Sequence, residues 1–95
     1  MVDDALNHRF VLEIDGAEAE LDYRENDRRL VLVHTWVPEE LRRRGIAGRL
    51  VATAVERAQR EGLIVVPVCP YAVRWLEEHP DVAARVSIDR RPDDA

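Results

Sequence analysis

The run Leu30 to Val37, "LVLVHTWV", narrows the folds open to this chain more than any other stretch, because it is almost continuously apolar and stops at Pro38. A strand with one wet face alternates apolar and polar residues; one that does not alternate is covered on both faces and lies inside a sheet. This strand is expected to be central, with neighbours on both sides. On the N-terminal side, Phe10, Leu12 and Ile14 alternate with Arg9 and Glu13 between His8 and Asp15. After Asp15-Gly16, the residues Ala17, Ala19, Leu21 and Tyr23 alternate with Glu18, Glu20, Asp22 and Arg24. A two-residue turn at Asp15-Gly16 pairs Ile14 with Ala17, Leu12 with Ala19 and Phe10 with Leu21, so the apolar faces coincide. The same register sets Arg9 opposite Asp22, which helps, and Glu13 opposite Glu18, which costs about a few tenths of a kcal/mol. "ENDRR" then turns the chain into the central strand.

The other neighbour must come from beyond Pro38. Ile46, Ala47, Leu50, Val51, Ala54, Val55 and Ala58 fall at helical spacing, with Arg49, Thr53, Glu56, Arg57 and Arg60 outside the stripe. Gly62 is expected as a left-handed cap, with Arg57 and Arg60 near the negative end of the helix dipole. "LIVVPV", Leu63 to Val68, reads as a short strand returning parallel to the Leu30 strand through a right-handed crossover. Pro67 cannot donate to a ladder, so the two strands are expected to part there and leave a gap in the sheet. Cys69-Pro70 opens a second helix over Tyr71 to Glu78, "HPDVAARV" reads as one further short helix, and "DRRPDDA" as a frayed, charged tail over 89–95. The fold expected is α+β: a mostly antiparallel sheet built as a three-strand meander, then a β-α-β crossover to a parallel fourth strand, with two to three helices. It forms one domain over 1–95 with its core at about 8–86.

Composition excludes several function classes. With 95 residues and a net charge of −5, the chain is a poor general binder of nucleic acid, which needs a basic face. No apolar run approaches the roughly 18 residues of a membrane span, and the N-terminus lacks the basic and apolar regions of a signal peptide, so a cytoplasmic location away from membranes is expected. The single cysteine, Cys69, has no disulfide partner, and no Cys/His cluster has zinc spacing, so no metal is expected. Every basic side chain is arginine and none is lysine. Arginine's planar fork suits phosphate, although a lysine-free chain also follows from genome composition. In an acidic chain any anion site must be local.

"VPEELRRRGIAGRL", Val37 to Leu50, is where such a site would form. A strand, a turn of small residues and a helix whose first amides are unpaired make an anion trap. Gly45, Ala47 and Gly48 keep side chains small where a phosphate would approach. The G-K-[ST] ending of a Walker loop is missing, and so is G-x-G-x-x-G. Arg42-Arg43-Arg44-Gly45-Ile46-Ala47 resembles the pyrophosphate-binding signature [QR]-x-x-G-x-[GA] of the GNAT superfamily of acetyl-CoA-dependent N-acetyltransferases, and it follows a strand ending in Val37-Pro38. Within that superfamily the chain resembles the minimal, roughly hundred-residue YjdJ-type branch, which has versions of "HT-x-VPEELRRRGIA", "VVPVCPY" and a later "HP". The resemblance covers about His8 to Asp81.

It implies a minimal GNAT fold, with acetyl-CoA as co-substrate and an amine of a small molecule or protein as acceptor. Backbone amides around Arg43 to Gly48 would hold the diphosphate, with Arg42, Arg43 and Arg44 adding charge. The pantetheine arm would lie along Thr35, Trp36 and Val37 in the gap near Pro67. Members of the branch often carry a glutamate where this chain has Trp36, so a carboxylate base at that position is missing.

Two side chains are candidates for catalysis. Cys69, at the end of a buried strand, reads either as a small core hydrophobe or, at the thioester end of the slot and beside a helix N-terminus, as an acyl-accepting nucleophile. His34 reads either as a hydrogen-bonded core histidine or as the base that deprotonates the amine. A strand amide near Val37 would bind the thioester oxyanion. Tyr71 and Trp75, four apart on one helical face, either join the core or touch the pantetheine. His79, before Pro80, reads as structural, and Glu39 and Glu40 as loop decoration. The leading expectation is an acetyltransferase, monomeric or weakly dimeric, acting by direct attack in a ternary complex. The alternatives are a CoA-binding module without turnover and a basic-loop interaction protein without a cofactor.

Overall fold

A computed structural model describes residues 1–90. Its one sheet has five strands in sequence order: β1 (Val2–Asp4), β2 (Arg9–Ile14), β3 (Ala17–Asn26), β4 (Arg29–Trp36) and β5 (Ile64–Pro67). The first four run antiparallel and β5 joins β4 in parallel through helix α1 (Ile46–Glu61). Helices α2 (Pro70–Glu78) and α3 (Pro80–Ala83) follow.

The hairpin of β2 and β3 has the expected register, including Arg9 opposite Asp22 and Glu13 opposite Glu18. Asp15 and Gly16 both have positive φ, 53° and 83°, which suits a two-residue turn to the right-handed twist of the strands. The Arg9 guanidinium, however, reaches diagonally to Glu20 at 3.0 Å and back to Asp4 at 3.4 Å rather than bonding Asp22. The second turn is also left-handed, at Asp27 and Arg28 with φ of 47° and 62°. Arg28 braces it by donating to the carbonyls of Glu61 and Gly62.

Strand β1 was not expected: the meander has four strands and the parallel strand is the fifth. With two aspartates in three residues it has no strand signature of its own. It pairs with Arg9–Val11 because a short 3-10 turn over Ala5–Asn7, capped by the Asp4 carboxylate, folds it back.

Central placement of β4 holds over only half its length. Leu30, Val31 and Leu32 are buried, whereas Val33, His34 and Trp36 are exposed. The cause is the parting at Pro67: β5 pairs only with Arg29–Leu32, and the amides of Val68 and Cys69 both turn to the Leu32 carbonyl as the chain leaves the sheet. A register shift between Asp22 and Tyr23 adds a residue to β4, so His34 faces Asp22 and Thr35 faces Leu21. Simple alternation would put His34 on the face of Leu32; the bulge moves it to the opposite face.

The core lies on one side of the sheet. Phe10, Leu12, Leu21, Leu30, Leu32 and Val65 meet the α1 stripe of Leu50, Val51, Ala54, Val55 and Ala58, together with Ala72 and Leu76 of α2. Gly62 caps α1 at φ 69°, and its N–H donates to Ala58 O. Arg57 departs from expectation. It does not sit on the wet face of α1 but lies over the Tyr23 ring and pairs with Asp3, Glu25 and Glu61, its side chain only 11% exposed. The helix expected from "HPDVAARV" is a single turn. Asp89, at the start of the expected tail, bonds Val65 through its amide and Arg29 through its carboxylate, at 3.3 Å. The remainder of the expected tail, residues 91–95, lies outside the described residues.

Candidate functional site

The parting of β4 and β5 opens a cleft of about 430 Å³ between the end of β4, the loop before α1 and the start of α2. The loop is built to stay open. A 3-10 turn over Glu39–Leu41 buries Leu41 and leaves Glu39 and Glu40 outside. Arg42 is extended, Arg43 takes a left-handed conformation at φ 67°, and Gly45 does the same at φ 72° as the residue preceding α1. Glycine enters that region without the penalty of a Cβ. It also has no side chain to cap the helix, and no side-chain hydrogen bond is made there. The first amides of α1 therefore point unpaired toward the cleft end of the helix, where the dipole is positive.

The cleft brings together Thr35, Trp36, Val37, Arg42, Arg43, Gly45, Ile46, Ala47 and Tyr71 with Leu41, which the sequence did not single out. Leu41 had a signal, an apolar residue alone among charges, but only the 3-10 turn shows that it faces inward. Ile46 offers its backbone, since its side chain is buried in the core. Arg42 is held by a bond from its Nε to the Val37 carbonyl, 3.1 Å, and its guanidinium lies 5.7 Å from the centroid of the Trp36 ring, which is 49% exposed. Among the described residues, Arg42, Arg43 and Arg44 pair with no carboxylate.

Gly48 and Arg44 lie apart from this lining. A Cβ on Gly48 would overlap Trp75 Nε1, so its smallness serves the packing of α1 against α2. A Cβ on Gly45 would meet nothing within 4 Å, so there the open space itself is the feature. Of the two aromatic residues on α2, Tyr71 lines the cleft, where burial pushes its hydroxyl above the ordinary value. Trp75 packs over Gly48 and stacks on His79, with ring centroids 4.0 Å apart. His79 Nδ1 donates to the Trp75 carbonyl oxygen at 2.8 Å, which gives this histidine a structural place.

The two candidates for catalysis fall on opposite faces of the sheet. Cys69 is 5% exposed at the start of α2, with its Sγ 3.3 Å from Thr35 Oγ1, on the core side. His34 is exposed on the other face, so it is not a core histidine. There it faces Asp22 and lies near Glu20, two carboxylates that sequence reading treated only as the wet side of a strand. Burial and the neighbouring Glu20 carboxylate push the Asp22 carboxyl up to about 6. A hydrogen bond from Asp22 holds Glu20 below its ordinary value. The signal available was their spacing, two apart on one strand; the register that brings His34 to them depends on the bulge.

No helix among the described residues is long and apolar enough to cross a membrane. A family model described as GCN5-related N-acetyl-transferase matches residues 9–86, from the start of β2 to beyond α3.

Proposed function

The chain belongs to the GCN5-related N-acetyltransferase family, and from that premise we propose that it is an acetyl-CoA-dependent N-acetyltransferase of the minimal, YjdJ-type branch. One observation carries the reading: the gap where β5 leaves β4 and the uncapped start of α1 open onto the same cleft. A thioester-bearing diphosphate needs those two features side by side, a free strand edge for its amide-containing arm and unpaired donors for its charge.

The residues fit such a co-substrate. The amides of Ile46, Ala47 and Gly48 would take the diphosphate oxygens, beside the space that glycine leaves at position 45. Arg43 and Arg44 add charge, and Arg42, already fixed between Val37 O and Trp36, forms one wall. The free edge of Thr35 to Val37 would pair with the pantetheine amides, Tyr71 closes the opposite side, and an amide near Val37 faces the developing oxyanion.

In the transfer, the acceptor ammonium loses one proton to His34 and onward to water. The freed lone pair forms the C–N bond, the C–S bond breaks with its electrons to sulfur, and a second nitrogen proton ends on the thiolate. Cys69 is better suited to shaping the slot than to carrying the acetyl group, because it is buried and hydrogen-bonded to Thr35. The acceptor is an amine of a small molecule or protein.

Calorimetry with CoA tests the site. Gly45→Glu places a carboxylate at the phosphate position and should weaken binding by at least about a hundredfold. The variant should remain folded, with about 1 kcal/mol lost to the left-handed backbone. Undiminished affinity would remove the site from this loop. Binding without thiol release across a panel of amines, and without acetylated Cys69 by mass spectrometry, would leave a CoA-binding module. CoA that fails to raise the melting temperature would leave the interaction protein.

A further inference from the structure

We infer that Asp22 is a positioning residue for acetyl transfer, stabilising the charge on the His34 imidazole across the β3–β4 ladder beside the gap through which the thioester is reached. The inference rests on the proposed role of His34 as the base.

The geometry comes from the bulge. An extra residue in β4 places His34 directly opposite Asp22 and sends Thr35 to the other face, over Cys69. Directly opposed side chains on one face of an antiparallel pair have Cβ atoms about 5 Å apart, and although no hydrogen bond joins them, that spacing lets the charge of one act on the other. His34 is exposed and so open to an incoming amine, whereas Asp22 and Glu20 are half-buried and so better fixed.

The charges around Asp22 make His34 its natural partner. On its own strand are Glu20, whose carboxyl lies close enough to couple with it, and, two residues the other way, the exposed Arg24. Across β2 is Arg9, but that guanidinium is committed to Glu20 and Asp4. Across β4 are His34 and, two residues on, the uncharged Trp36. Among the described residues Asp22 forms no ion pair of its own. A half-buried carboxylate in that position shares a proton with its acidic neighbour until a cation arrives, and the imidazolium formed when His34 accepts the acceptor's proton is that cation. The proton passes from the ammonium nitrogen to the imidazole nitrogen. Asp22 takes no proton; it stabilises the charge that the transfer creates.

Carbon-13 titration of the side-chain carboxyls tests the coupling without any acceptor. In the wild-type protein Asp22 should titrate at about 6, and in His34→Gln its midpoint should move upward, because the imidazolium that favours the carboxylate is gone. An Asp22 midpoint that His34→Gln leaves in place, whatever its value, overturns the inference. Turnover is followed as thiol release from acetyl-CoA with a lysine-containing peptide as the probe acceptor. Asp22→Asn, close to isosteric, should lower kcat at least tenfold with KM for acetyl-CoA unchanged, and Asp22→Glu should recover part of the loss. Wild-type kcat and pH profile in Asp22→Asn, alongside lost turnover in His34→Gln, would overturn the role of Asp22 and leave His34 as the base. Full turnover in His34→Gln would overturn both.

Discussion

Helix α1 carries arginines near both ends, and the fold treats them in opposite ways. Toward its C-terminus Arg57 is nearly enclosed: three carboxylates from β1, β3 and α1 itself surround the guanidinium, and the Tyr23 ring lies beneath it. Before its N-terminus Arg42, Arg43 and Arg44 meet no carboxylate among the described residues, and only Arg42 is tied down, to a carbonyl and an aromatic face. The same side chain is structural where the protein supplies its counter-charges and available to a ligand where it does not. In a chain with a net charge of −5, leaving three adjacent cations without a counter-charge is the less expected arrangement, and it points to an anion from outside.

The contrast can be broken most forcefully at Arg57. Arg57→Ala leaves three carboxylates facing one another. Because those partners are partly exposed, the cost should be about 2 kcal/mol, less than for a fully buried cluster, and it should lower Tm by about 10 °C with CoA affinity intact. A loss of affinity larger than the loss of stability would show that the two ends of α1 are not independent.

Gly48, in the first turn of α1, sharpens the division next. Gly48→Ala drives a methyl into the Trp75 indole and should cost about 1 to 2 kcal/mol, with a change in tryptophan fluorescence as the stack on His79 shifts. A neutral effect there would mean that α2 yields easily and that Gly48 belongs with the loop after all.

Replacing Arg42, Arg43 and Arg44 together by glutamine should change stability by less than about 0.5 kcal/mol, as surface substitutions do, while weakening CoA about tenfold. A fall in Tm comparable with that of Arg57→Ala would erase the distinction. The smallest effect is that of salt. Raising ionic strength from about 0.05 to 0.5 M should weaken CoA binding several-fold and leave the Arg57-dependent part of the stability nearly unchanged, because screening acts on open charges more than on enclosed ones.

Much of the fold was legible in the sequence because period-2 and period-3.6 patterns report which face of an element is buried. The hairpin around Asp15-Gly16 followed from alternation on both sides of a turn dipeptide, and the parting at Pro67 followed from a missing donor. What escaped notice had no pattern of its own. Strand β1 has too few residues to show a period, and it exists because Arg9–Val11 offers it an edge. Arg57 sat at a position that helical periodicity assigns to solvent, and the carboxylates that enclose it arrive from two distant strands. In the site, Arg42 to Ala47 could be read from local order because an open loop and a helix start are local features. The group of Asp22, Glu20 and His34 could not, since one extra residue in β4 decides which face His34 occupies.

The sequence by itself determined the order of elements from β2 onward, the hairpin register, the place where β5 must leave the sheet and the loop at which an anion could meet free amides. All of these depend on neighbours within one or two elements. Tertiary structure alone decided which arginines are committed, which glycine leaves space and which is filled by Trp75, and on which side of the sheet Cys69 and His34 come to lie. Those outcomes depend on charges and volumes contributed by residues far apart in the chain, and side-chain periodicity carries no information about which of them will meet.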